Sequence, residues 1–143
     1  MLQLTDIDHL VLRVRDLSHM LAFYGEVLGC PIEREIPELG LVQLRAGRAL
    51  LDLITVTGRL GRAGGDAPTM TGRNVDHFCF GVADFEPERV RAYLAQHGYA
   101  TSPAEPRYGA HGIGPSIYVT DPEGNTKRLA KMKWRIFKAA DSP

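Results

Sequence analysis

The second half of this chain repeats the first. Ile7-Asp8-His9-Leu10-Val11-Leu12-Arg13-Val14 recurs 68 residues later as Val75-Asp76-His77-Phe78-Cys79-Phe80-Gly81-Val82, in a chain of 143 residues. A unit repeated at half-length restricts the chain to architectures built from two like modules. Each copy runs into a segment with helical spacing of apolar residues. In the first, 18–28, these are Leu17, Leu21, Tyr24 and Leu28; in the second, 86–97, they are Val90, Tyr93 and Leu94. Gly29 and Gly98 stand where each helix should stop. Strand-like runs follow at 31–37, 41–46 and 49–56, then at 99–104, 115–120 and 126–132. The reading is α+β: two repeated β-α-β-β-β modules, 5–57 and 74–132. The glycine-rich linker 58–73 joins them, and 1–143 is expected to be a single domain.

Alternation within the strands assigns their faces, because successive strand side chains point to opposite sides. Leu10, Leu12 and Val14 share a face, as do Phe78, Phe80 and Val82, Leu51 and Leu53, and Ile117 and Val119. These sets should pack under the helices. The opposite faces carry His9, Asp52, His77 and Tyr118, with Gln43 and Arg45 from the neighbouring strand. Curved toward one another, two such sheets would gather these residues in one cavity.

Composition excludes several classes of function. The formal charge is zero, yet up to Thr126 there are 11 arginines, no lysine and 16 acidic residues. An acidic body offers no clustered basic surface for nucleic acid. From Lys127 onward the balance inverts, with four lysines, two arginines and one aspartate, so 127–143 reads as an atypical basic tail. No apolar run reaches the roughly 20 residues of a membrane span, and the N-terminus lacks a signal-peptide pattern. Two cysteines make no disulfide scaffold, so a cytoplasmic protein is expected. Cys79, in mid-strand, should be buried and inert. His111, in the glycine-rich loop 108–114, could reach the cavity mouth.

The ordered motifs resemble the vicinal oxygen chelate superfamily, the glyoxalase / bleomycin-resistance / extradiol-dioxygenase group. They are Ile7-Asp8-His9, Phe23-Tyr24 before Val27-Leu28-Gly29, Ala49-Leu50-Leu51-Asp52-Leu53, Val75-Asp76-His77, and Ile117-Tyr118-Val119 before Asp121-Pro122-Glu123-Gly124-Asn125. The resemblance implies a single glyoxalase-like domain, often dimeric, whose modules form a cupped, mostly antiparallel sheet around a central cavity, with a divalent-metal site to which each module gives two ligands. His9 and His77 match the first-strand ligands and Asp52 the first module's second. The fourth should be a glutamate, but the chain reads Gly124-Asn125-Thr126-Lys127-Arg128-Leu129, with Arg128 at that position. A guanidinium is always cationic and offers no lone pair, so it cannot ligate a metal.

Two functions follow. Two histidines and a carboxylate suit Fe, Mn, Ni, Co or Zn, and an ion with open positions would act on a small-molecule substrate with vicinal oxygens, by lyase or dioxygenase chemistry. Tyr118, Gln43 and Arg128 are then candidate substrate contacts. The alternative is a metal-free protein that binds a small aromatic or anionic ligand, with Arg128 paired to Asp52. A homodimer is expected in either case, with no nucleic-acid or membrane partner.

Overall fold

The computed structural model describes residues 1–132; the rest of the basic tail, 133–143, lies outside the described residues. The chain sorts into two compact units. One comprises Met1–Asp76 with Thr120–Thr126, the other His77–Val119 with the chain from Lys127. Together they supply two four-stranded sheets, one from each β-α-β-β-β module, and the fold is α+β.

In the first unit, β1 (His9–Val14) leads to α1 (Leu17–Leu21), then β2 (Ile32–Ile36), β3 (Leu41–Ala46), β4 (Ala49–Thr55) and a short α2 (Arg59–Ala63). The strand order is β1-β4-β3-β2, with β1 parallel to β4 and the other pairs antiparallel. Register puts Leu12 beside Leu53, Leu53 beside Val42, and Leu51 beside Leu44. All five, with Val14, are at most 4% exposed, as the period-two reading requires. Each such side chain contributes about 1.5–3 kcal/mol by leaving water.

The expected helix over 18–28 is α-helical only to Leu21 and continues as a π turn, Ala22–Val27. Adjacent residues of an α-helix point about 100° apart, yet Phe23 and Tyr24 are both fully buried, ring edge to ring face at 4.9 Å. The wider turn accommodates both rings on the core side. Leu28 N–H donates to the Phe23 carbonyl across it, and Gly29 ends the segment at φ +74°.

The Asp121-Pro122-Glu123-Gly124-Asn125 turn belongs to this unit. Asp121 is 4% exposed and accepts from the Tyr24 hydroxyl at 2.6 Å, from the Glu123 and Asn125 amides, and from the Asn125 side chain. The Glu123 carboxylate in turn accepts from the Arg15 and Asp16 amides, both at 2.7 Å, just before α1. Burial and the Asp121 charge together push the Tyr24 phenol far above its ordinary range.

In the second unit, β5 (His77–Val82) precedes α3 (Pro87–Gln96), β6 (Glu105–Gly109), β7 (Gly112–Thr120) and β8 (Thr126–Lys131), in the order β5-β8-β7-β6. Leu94, Ile117, Val119, Phe85 and Leu129 form its buried apolar set. Among them lies Lys127, also 0% exposed, its ammonium 4.5 Å from the centre of the Phe78 ring. The expected strand over 99–104 is a single bridge, Thr101 to Val119, and the pairing strand comes later, at 105–109. Pro103 has no N–H to give a ladder. Ser102 instead accepts the Tyr118 N–H with its hydroxyl and donates its own N–H to the Tyr118 carbonyl. No helix among the described residues is long and apolar enough to cross a membrane.

Candidate functional site

On the first sheet, the face opposite the core carries His9, Asp52 and Gln43. Val11 pairs with Asp52 and Gln43 pairs with Asp52, while His9 sits two residues before Val11. Asp52 is only 6% exposed, and both its oxygens accept from the Gln43 side-chain amide, at 3.1 and 3.0 Å. Two hydrogen bonds from one donor leave lone pairs on each carboxylate oxygen. Arg45, on the same face, is clamped by Glu33 through two 2.5 Å bonds. Arg34, which pairs with Gln43 across β2 and β3, and Arg13, two residues beyond Val11, stand on this face as well.

The His9 ring is half exposed and hydrogen-bonded through Nδ1 to Asp8 at 2.7 Å. The Asp8 hydrogen bond, with the nearby Asp52 charge, holds His9 above its ordinary range, although partial burial opposes this. A carboxylate on Nδ1 fixes the ring and leaves Nε2 as the outward nitrogen, the usual arrangement behind a metal-ligating histidine. Asp8 stands one residue before β1, so strand alternation does not govern it, and from the exposed surface it reaches His9.

In the second unit, His77 opens β5 and meets Tyr118 edge to face, ring centres 5.7 Å apart. Arg128 lies on β8 between two core positions, Lys127 and Leu129, so it faces the other side of the sheet. Its Nε donates to Ser116 Oγ at 3.0 Å and its Nη1 to the Tyr108 carbonyl at 2.9 Å. Beside it opens a cleft of about 220 Å³, lined by Cys79, Gly109, His111, Gly114, Arg128 and neighbouring residues. Cys79 is exposed there, a correction to the expectation of a buried thiol. Glycines around the cleft leave it uncovered. Partial burial of the sulfur still raises its pKa, and the Arg128 charge works in the opposite direction. His111 does line the cleft, at the β6–β7 turn.

Residues 6–129 match the Glyoxalase/Bleomycin resistance protein/Dioxygenase superfamily. The chain belongs to that superfamily. Solved structures share the fold over nearly the whole length. An integron cassette protein from the mobile metagenome of V. cholerae is 22% identical with a TM-score of 0.77, over 93% of this chain and 99% of its own. A virulence protein from Salmonella typhimurium is 26% identical with a TM-score of 0.75, over 92% and 100%. A lactoylglutathione lyase from Agrobacterium tumefaciens is 24% identical with a TM-score of 0.64, over 89% and 93%. No curated protein matches the chain significantly.

Within this superfamily chain, the two units differ in fitness for a metal. In the first, His9 offers an oriented imidazole and Asp52 a buried carboxylate with unused lone pairs, a donor set that fits a first-row divalent ion. In the second, His77 fits as a donor and Arg128 does not. Within neither unit do three His, Cys, Asp or Glu side chains gather around one point among the described residues.

Proposed function

We propose that this superfamily member is a small metal-dependent enzyme acting on a substrate with two vicinal oxygens, through a divalent ion held by His9, Asp52 and His77. The observation that carries the reading is the Asp8–His9 hydrogen bond of 2.7 Å, which presents Nε2 outward on the face that holds Asp52. The ion would supply Lewis acidity toward the substrate's oxygens, leaving open the positions that Arg128 cannot fill. The protein's own part is positional. Asp8 fixes the His9 ring, Gln43 fixes Asp52, and Tyr118 stands against His77. The test is metal analysis of protein purified without added metal, beside His9→Ala and His77→Ala. A bound equivalent of Fe, Mn, Ni, Co or Zn, lost in both variants, supports the reading; metal-free protein that also fails to take up Ni or Mn refutes it.

One observation favours a second reading, metal-free binding of a small aromatic or anionic ligand. Arg128 puts a fixed cation on the sheet face where a fourth ligand would stand, and its two hydrogen bonds within its unit go to neutral oxygens. A homodimer, frequent in this superfamily, belongs to either reading. Sedimentation should give a species of about twice 15.8 kDa at micromolar concentration, and a monomer alone would count against it.

A further inference from the structure

We propose that the cleft beside β8 in the second unit is a binding site for a small organic carboxylate, anchored by Arg128. The inference rests on the binding reading above and deepens it by naming the ligand class. The cleft exists because side chains are missing. Gly81, Gly109, Gly112 and Gly114 line it, with Ala130 on β8. A Cβ at Gly112 or Gly114 would meet nothing within 4 Å, and one at Gly109 would come within 3.6 Å of Arg128 Nη2. The guanidinium therefore borders open space rather than packed side chains.

Its orientation is fixed while its charge is not cancelled. Nε and Nη1 are committed to Ser116 Oγ and the Tyr108 carbonyl, and among the described residues of the unit no carboxylate pairs with it. Arg107, at the same rim, is a contrast, since Glu105 neutralises it. A planar cation held by neutral acceptors, with one edge toward a cavity, is matched by the two coplanar oxygens of a carboxylate. Ile113 and Met132 contribute apolar wall, which suits an organic body rather than a bare inorganic anion. At about 220 Å³ the cleft falls below the roughly 300–1,000 Å³ of drug-sized sites, so the ligand is small.

The probe is benzoate, titrated into the full ¹⁵N-labelled chain after chelator treatment and followed by NMR, with benzamide and inorganic phosphate as comparisons. Benzoate should shift the Gly109, Gly112 and Gly114 amides and the Arg128 Nε–H saturably, binding at least tenfold tighter than either comparison. Arg128→Gln should abolish the response. Gly114→Leu, which fills open space at an unstrained position, should weaken benzoate at least tenfold with the rest of the spectrum unchanged. It decides the matter if Arg128→Gln does not fold. Benzamide binding as tightly as benzoate would overturn the carboxylate assignment while leaving the binding reading intact. Phosphate equalling benzoate would overturn it in favour of a simple anion site. No response to any of the three would overturn both.

Discussion

The two modules grew from one sequence pattern and have diverged in opposite ways at two levels. In the first unit the core face is uniformly apolar, Leu12, Val14, Val42, Leu44, Leu51 and Leu53 under Met20, Phe23 and Tyr24, and the site face holds His9 and the buried carboxylate of Asp52. In the second the core face admits Lys127, and the site face presents Arg128. Both differences sit on β8, two adjacent residues facing opposite sides of one strand. A strand therefore carries two independent messages, one to the core and one to the site. In β8 the same change of composition, from arginine-only to lysine-rich, has altered both.

This contrast can be broken by mutation. The largest effect should come from Asp121→Ala in the first unit. It would leave the Tyr24 hydroxyl and the Asn125 amides without their buried acceptor, at a cost of about 3–5 kcal/mol in urea unfolding, as for other broken buried networks. A loss below 1 kcal/mol would mean that the turn is a surface feature. Next, Leu53→Ala in the first unit should cost about 3–4 kcal/mol, against about 2 kcal/mol for Leu129→Ala, whose neighbour is a buried lysine rather than a close-packed leucine row. Equal losses would remove the claimed difference between the cores.

The Tyr24 phenol gives a pH-dependent test of the first unit. Its folded pKa is raised, so its contribution to stability is fully present below the ordinary tyrosine value of about 10 and is lost as the pH rises above it. Stability should fall above about pH 10, and Tyr24→Phe should remove that part of the alkaline slope. An unchanged slope in the variant would place the alkaline sensitivity elsewhere.

Much of this was legible in sequence because repeat and alternation are strong signals. The 68-residue offset located both modules, and alternation along β1, β3, β4 and β7 separated buried from site-facing residues. The misses have local causes. The π turn depends on two consecutive aromatics both seeking the core, which helical spacing does not register. The shift of a strand from 99–104 to 105–109 depends on Pro103 and on a hydroxyl replacing a backbone partner. The cleft escaped because it is defined by glycines, and periodicity arguments count side chains that are present.

The central proposal is that Arg128 takes the sequence position of the fourth ligand that the family resemblance implies beside His9, Asp52 and His77. The direct measurement is calorimetric titration of Mn or Ni into the chelator-treated chain and into Arg128→Glu. The account predicts at least tenfold tighter binding in the variant, about 1.4 kcal/mol, lost again when His9→Ala is added. Equal affinity in the two proteins would contradict it, since Arg128 would then have no bearing on where a metal binds.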